Sequence, residues 1–288
     1  MGRTAILNGF GRTLGDSIIG LQALFAAQHA GVLGPRPTLF RLPGLSPLIV
    51  QIYASADFAA VETLPWDDAT PDRPFAPAAG FEHVIDIRDF AFDPVFRGIA
   101  MIDYFLARLG ANPAAVPPAM RRNTWLRPRI TITGSRARPY ILVCPHTASD
   151  LRNMPDAVHA HILAWLERET GCPVLSQATL PRADTLAELC ALVAGARLVV
   201  SADTAMVHLA DAFDVPTLAF FTTHRPEWRV RDYPACRPVY LAPRGLPEAL
   251  EFSRGPADTA ACAAAWFPHG DNLDWLDVAL AATWNTLR

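Results

Sequence analysis

The sequence has no lysine: every one of its 25 Lys+Arg positions is an arginine. A gene's base composition can produce the same bias, so this absence carries no functional weight. An excess of positive charge is missing too. The 28 acidic residues outnumber the 25 basic ones, the formal net charge is −3, and no basic field is available for nucleic acid. No stretch reaches the ~18 apolar residues of a membrane span. The first residues, MGRTAILNGFG, pass directly into a strand pattern without an apolar region of signal-peptide length. These absences predict a soluble, cytoplasmic chain whose contact with the inner face of a membrane is at most peripheral. Cysteine is scarce: Cys144, Cys172, Cys190, Cys236 and Cys262 make an odd number, with no C-x-x-C and no Cys/His pair at zinc spacing. Reduced thiols and no metal are expected. Solenoid-length repeats and low-complexity tails are absent as well.

What is present is a chain of 288 residues, 51% hydrophobic and 18% charged. That length suits two domains of ~140 residues each. TAILN at 4–8 predicts a short buried strand, followed by the glycine-rich turn GFGRTLG. A helix is expected over 16–29, with Ile18, Ile19, Leu21, Leu24 and Phe25 on one face, Asp16 as N-cap and Gly31 as C-cap. Further strands are expected at 38–42 and 84–87, and a helix over 94–109. This alternation predicts a parallel sheet covered on both faces. Residues 112–138 are rich in proline and arginine without sustained period, and predict a connection between domains.

The pattern restarts with YILVC at 140–144, a strand, then a helix over 155–169 with proline at its first turn. PVLS at 173–176 predicts a strand, 185–194 a helix, 197–201 a strand, 204–213 a helix and 217–221 a last apolar strand. An amphipathic helix over 273–287 closes the chain, able to pack back on the first half. The expected boundaries are 1–135 and 136–288.

In open α/β sheets ligands bind where strands end and helices begin. The stretch SADTAMVHLADAFDVPTLAFF at 201–221 places Asp203 and Thr204 at such a junction and His208 in the second turn of the helix. First-turn amides and the positive end of the helix dipole there suit a diphosphate. On spacing alone, the same residues also fit a plain N-cap and a satisfied core histidine.

Residues 186–221, LAELCALVAGARLVVSADTAMVHLADAFDVPTLAFF, resemble the signature of glycosyltransferase family 9, the heptosyltransferases of lipopolysaccharide synthesis and their relatives. RTLGDSIIGLQAL at 12–24 is similar to that family's Gly-Asp-hydrophobic opening. The resemblance implies an α/β, GT-B-like fold: two Rossmann-type domains with parallel sheets facing a central cleft, the first on the acceptor side and the second holding a nucleotide-sugar donor. It puts the general base at Asp16, beside cleft-loop residues Thr13 and Gly15. A carboxylate in hydrogen-bond reach of an acceptor hydroxyl can take its proton as that oxygen attacks the anomeric carbon. CPHTASDLRNMP at 144–155 resembles the family loop whose lysine contacts donor phosphate. Arg152 falls on that lysine, with His146, Thr147 and Ser149 in the same loop. Arg152, Asp203, Thr204, Ala205, His208, Thr222 and Thr223 are then the implied donor-binding residues. The donor is a substrate, so no separate cofactor is implied, and metal-independent transfer to a glycan, lipopolysaccharide, other lipid-linked or protein hydroxyl is expected.

The chain departs from the family pattern at three places. Asp-Thr-Gly reads Asp-Thr-Ala, so Ala205 adds a methyl where phosphate approaches the backbone. The turn after the last strand reads Phe221-Thr222-Thr223-His224. Between PVLS and TLAEL there is no room for a helix that often brings a ribose-binding acid; Glu188 is the nearest carboxylate and fits a helix surface. Two rival readings follow. One is a non-catalytic sugar- or partner-binding descendant. The other is an NADP-binding oxidoreductase, from Gly9-x-Gly11-x-x-x-Gly15 and Arg41 near the end of the second strand. Acceptor choice is expected to lie in loops 43–47 and 65–77.

Overall fold

The computed structural model describes residues 2–65, 80–132 and 139–287. The chain forms two compact units, Met1–Thr131 with Asp184–Glu188, and Ile132–Ala183 with Leu189–Arg288.

The first unit holds β1 (Thr4–Asn8), α1 (Leu14–His29), β2 (Thr38–Arg41), α2 (Pro47–Ala54), β3 (Ala60–Thr63), β4 (His83–Asp86) and α3 (Met101–Arg108). Its sheet runs β3-β2-β1-β4, with every pairing parallel. All five residues of β1 are buried, as expected of a central parallel strand covered on both faces. The edge strands β3 and β4 are half exposed and short, which is why AVET at 60–63 gives no strand signal in the sequence. The chain leaves β1 towards β2 on one side and returns to β4 on the other. The carboxyl ends of β1 and β4 are therefore this sheet's topological switch point.

Two expectations change in this unit. The helix expected over 94–109 is broken: a 3₁₀ turn at Phe96–Gly98 precedes α3. That break lets Phe96 pack edge-on against Phe90 and Tyr104, with ring centroids 5.1 and 5.2 Å away. Residues 112–131, expected as a bare connection, are a packed part of the unit. Trp125 is buried, its indole N–H donates to Ile18 O at 3.3 Å, and its backbone N–H donates to Gln22 Oε1 at 3.3 Å. The Gln22 amide in turn donates to Met120 O at 2.5 Å. Of loop 65–77, only Pro65 lies within the described residues.

The second unit continues with β5 (Tyr140–Cys144), α4 (Asp156–Thr170), β6 (Val174–Ser176), α5 (Leu186–Ala194, from Leu189 onward), β7 (Ala196–Ala202), α6 (Ala205–Ala212), β8 (Thr217–Phe221), α7 (Glu227–Val230), β9 (Cys236–Tyr240), α8 (Pro256–Ala264), β10 (Pro268–Asp271) and α9 (Asp274–Trp284). The sheet order is β6-β5-β7-β8-β9, again parallel throughout. Its switch point lies between β5 and β7. The core is built on Ile141, Val143, Val200, Leu218 and Phe220 from the strands. Trp165 of α4 and Leu276, Leu280 and Trp284 of α9 join them. Phe220 packs against Trp266, tilted at 5.1 Å, and edge-on against Trp275 at 6.2 Å. No helix occupies the segment between β6 and α5. All five cysteines are free thiols.

Candidate functional site

Each sheet ends at its switch point in a cluster of polar side chains. In the first unit the turn after β1 carries four consecutive residues with positive φ: Asn8 at 98°, Gly9 at 53°, Phe10 at 61° and Gly11 at 85°. Gly9 has no alternative there, because an added Cβ would lie 2.7 Å from Arg41 Cα. Phe10 is fully buried and fills the space that Gly20 leaves empty on α1; a Cβ on Gly20 would fall 2.0 Å from Phe10 Cγ. The turn is thus shaped by packing against the protein's own side chains. Gly9 and Gly11, where an added Cβ would meet Arg41 Cα at 2.7 Å and Phe90 Cζ at 2.9 Å, thus have reasons to be glycine that owe nothing to a dinucleotide, which weakens the oxidoreductase reading.

Thr13, not Asp16, is the N-cap of α1. Its Oγ1 accepts the Asp16 backbone N–H at 3.1 Å, so Asp16 stands in the first turn with its carboxylate not used as the cap. The sequence expectation of a capping Asp16 is corrected because the helix starts two residues earlier, at Leu14. Asp16 and Gly15 are half-buried and Thr13 is exposed. The Asp16 carboxylate borders Gly11, whose added Cβ would sit 3.5 Å from Asp16 Oδ2. Two residues that sequence reasoning missed fix this corner. Buried Asn8 donates from Nδ2 to Ile87 O at 3.1 Å, pinning the end of β4. Arg88, also buried, forks onto Asp86, donating from Nε to Oδ1 at 3.0 Å and from its terminal nitrogen to Oδ2 at 2.6 Å.

In the second unit the switch point joins three loops. After β5, Thr147 N–H donates to Asn153 Oδ1 at 2.7 Å and Met154 N–H to Pro145 O at 2.9 Å, which folds the loop on itself and sets Arg152 at its far end. After β7, Asp203 is nearly inaccessible and receives Arg152 at 3.3 Å. After β8, Thr222 Oγ1 donates to Leu151 O at 2.8 Å, tying this turn to the Arg152 loop. Thr204 caps α6: its Oγ1 accepts Met206 N–H at 3.0 Å, and Thr204 O accepts Val207 N–H at 3.1 Å. Ala205 follows at the helix tip, half-buried.

Behind the Arg152–Asp203 pair lies a buried network that the sequence did not announce. His208 hydrogen-bonds through Nδ1 to Tyr233 Oη at 3.0 Å. His224 Nε2–H donates to Glu251 Oε1 at 2.8 Å, since a carboxylate can only accept, and its Nδ1 then accepts the Thr223 hydroxyl at 2.8 Å. Arg229 donates to the same Glu251 oxygen at 2.9 Å. Two carboxylates and two guanidiniums thus offset each other in a largely buried space, the arrangement that buried charge requires. Burial pushes the Asp203 carboxyl up, but the Arg152 and Arg229 guanidiniums lead the interactions that outweigh it and hold it below the ordinary range. Burial likewise opposes ionisation of Glu251, yet His224, Arg229 and Arg152 bring it down to about 2. Desolvation dominates at His208, whose pKa falls to about 4 in spite of Asp203, and at His224, also lowered. Both imidazoles are neutral at pH 7.

Of the residues that sequence reasoning singled out here, Arg152, Asp203, Thr204, Ala205 and His208 converge on the ends of β5 and β7. Thr222 and Thr223 are buried, with their hydroxyls engaged by Leu151 O and His224. Ser149 closes a small turn with Thr147, and His146 is exposed, 6.5 Å from the His159 ring. Glu188 caps α5, accepting from Asp184 N and Thr185 N at 3.0 and 3.1 Å. Among the described residues there is no group of three or more His, Cys, Asp or Glu side chains that could hold a metal ion, and no helix long and apolar enough to cross a membrane.

Residues 170–233 match the family model described as glycosyltransferase family 9 (heptosyltransferase). No curated protein sequence matches the chain. Solved structures do resemble it. The bacterial iron-containing dodecameric glycosyltransferase TibC from enterotoxigenic E. coli shares 14% identity over 100% of this chain and 77% of its own, with a TM-score of 0.64. E. coli heptosyltransferase WaaC with ADP shares 14% over 85% and 94%, with a TM-score of 0.56. E. coli ADP-heptose LPS heptosyltransferase II shares 11% over 99% of both chains, with a TM-score of 0.57. At such identities the likeness is one of fold: an α/β architecture with two parallel sheets, as in GT-B-like glycosyltransferases.

Proposed function

We propose, from the similarity of residues 170–233 to glycosyltransferase family 9, that the chain moves a sugar from a nucleotide-diphosphate donor to an acceptor hydroxyl. The observation that carries the reading is the Arg152–Asp203 pair beside the amino tip of α6, at the switch point of the second sheet, with Asp203 inside the matched segment. Solved relatives bound to ADP and to ADP-D-β-D-heptose support an ADP-linked heptose as the first donor to try. The acceptor we favour is a hydroxyl of a lipopolysaccharide or another glycan.

In this reading the acceptor oxygen attacks the anomeric carbon and passes its proton to the Asp16 carboxylate. The bond from that carbon to the donor's diphosphate oxygen breaks, and the diphosphate leaves with the electron pair. Charge grows on the departing phosphate, where preorganised donors act most strongly. Arg152 supplies a guanidinium, and the Ala205 N–H supplies the amide at the helix tip, since Met206 and Val207 N–H are already held by Thr204. Asp203, kept ionised by its cationic neighbours, holds Arg152 in place. His208 stays neutral and steadies the floor beneath it. Thr222 and Thr223 hold the β8 turn in shape; direct donor contact from either would require a present hydrogen bond to break.

The absence of a helix between β6 and α5 favours one second reading, a binder of sugar or protein without turnover. Asp16→Asn separates the two. A transferase is expected to keep nucleotide-sugar affinity and to lose about 10²- to 10⁴-fold in transfer rate, the range for removal of a general base. Wild-type protein that binds ADP-sugars yet releases no ADP with any acceptor tried would refute transfer in favour of binding.

A further inference from the structure

The amino end of the first sheet carries a feature that the transferase reading does not use. A cavity of about 120 Å³ opens there, lined by Gly2, Arg3, Thr4 and by Gly34 to Thr38. Its wall contains two arginines, two threonines and no acidic residue. Among the described residues, neither guanidinium meets a carboxylate, and neither the Thr4 nor the Thr38 hydroxyl is used in a hydrogen bond. Thr4 and Thr38 are themselves 7% and 6% exposed, so these are sheltered polar groups in the first residues of β1 and β2.

Arg3 stacks over the Phe81 ring at 4.6 Å, a cation–π contact that orients its guanidinium. Arg36 stands between Pro35 and Pro37 with φ of 53°. A non-glycine residue in that region is strained, and such strain gathers where a side chain is being aimed. Nothing in the packing of the core asks for it, since Arg36 is exposed.

We propose that Arg3 and Arg36 form a binding site for a phosphate group at this edge of the first unit. Guanidiniums pair bidentately with phosphate oxygens, and the Thr38 hydroxyl adds a further donor; Thr4, one residue out of register with it, turns its side chain to the other face of the sheet and contributes its backbone alone. The cavity is well below the ~300 Å³ at which sites for whole drug-sized ligands begin. It takes the phosphate end of a molecule, not a nucleotide. Thr4 and Asn8 stand at opposite ends of β1, four residues or roughly 13 Å apart at strand rise, so this site is separate from the Asp16 corner. Glu82 is the neighbouring counter-charge: its carboxylate packs on Gly2, where an added Cβ would be 1.8 Å from Oε2. The inference does not rest on sugar transfer and survives if that reading fails.

Inorganic phosphate titrated into the ¹⁵N-labelled full chain tests it. Saturable shifts are expected at the Thr4, Gly34 and Thr38 amides, and they persist in Arg152→Gln, which weakens the second unit's anion site. Arg3→Gln and Arg36→Gln are each expected to weaken the response about tenfold, the scale of one charge-assisted hydrogen bond. Glu82→Gln is expected to strengthen it. Spectra unchanged elsewhere certify the fold of each variant. No saturable shift at these amides, or shifts indifferent to both arginine variants, would overturn the site. Flotation with phosphatidylglycerol vesicles, set against phosphatidylcholine, identifies the source. Binding lost in the arginine variants assigns the site to an anionic lipid headgroup; phosphate shifts without vesicle binding assign it to a soluble phosphate.

Discussion

Replacing His208 by Asn isolates the cost of keeping an imidazole neutral beneath the anion site. His208 is buried, and its pKa drops from 6.5 to about 4, chiefly through desolvation. The folded value lies below the unfolded one, so the proton binds the unfolded chain more readily. Stability from this group is complete above pH 6.5 and is lost as pH falls through the interval down to 4. At pH 5 the unfolded imidazole is almost fully charged while the folded one remains mostly neutral. The linkage integral from pH 7 to pH 5 then amounts to about 2 kcal/mol. Asparagine does not titrate, and its shorter side chain gives up the 3.0 Å bond between Nδ1 and Tyr233 Oη. The variant is expected to be less stable at pH 7 by about 1 kcal/mol, the usual net worth of one hydrogen bond. Its loss on acidification is expected to be smaller than the wild type's by about 2 kcal/mol. Urea unfolding followed by tryptophan fluorescence at both pH values measures the double difference. Equal acid losses in the two proteins would refute a buried neutral His208.

Arg152→Gln removes the guanidinium but keeps a hydrogen-bonding side chain; nucleotide-sugar affinity by calorimetry is expected to fall about 10- to 100-fold, the scale of a charge-assisted bond. Because Arg229 still faces Asp203 electrostatically, the second unit should remain folded, which circular dichroism checks. Gly20→Ala places a methyl 2.0 Å from Phe10 Cγ and is expected to cost about 1–3 kcal/mol through overpacking, read from urea midpoints. Gly98→Ala, with nothing within 4 Å of the added methyl, is the near-neutral control. Equal midpoints for the two variants would contradict the account of the turn after β1.

The apolar strands announced themselves because a central parallel strand is buried on both faces and reads as a continuous apolar run. TAILN, YILVC and TLAFF became β1, β5 and β8 within a residue of expectation. The alternation of strand and helix likewise dictated parallel sheets. Edge strands such as β3 escaped notice, since half-exposed residues carry no such pattern. Within the second unit's site, Asp203 and Thr204 were singled out because they stand where a strand ends and a helix begins, and Arg152 through the resemblance of 144–155 to a family loop. Arg229, Tyr233 and Glu251 were not: they follow the last patterned strand at irregular intervals, and only folding brings Glu251 within 2.8 Å of His224 and 2.9 Å of Arg229. The sequence alone could establish which segments must be buried and which polar residues fall at their ends, because burial period and helix-start chemistry are local. Which charges offset one another, which threonine hydroxyls are already engaged, and which residue caps α1 depended on through-space neighbours. Desolvation and pairing act over distance in three dimensions, and chain separation says nothing of it.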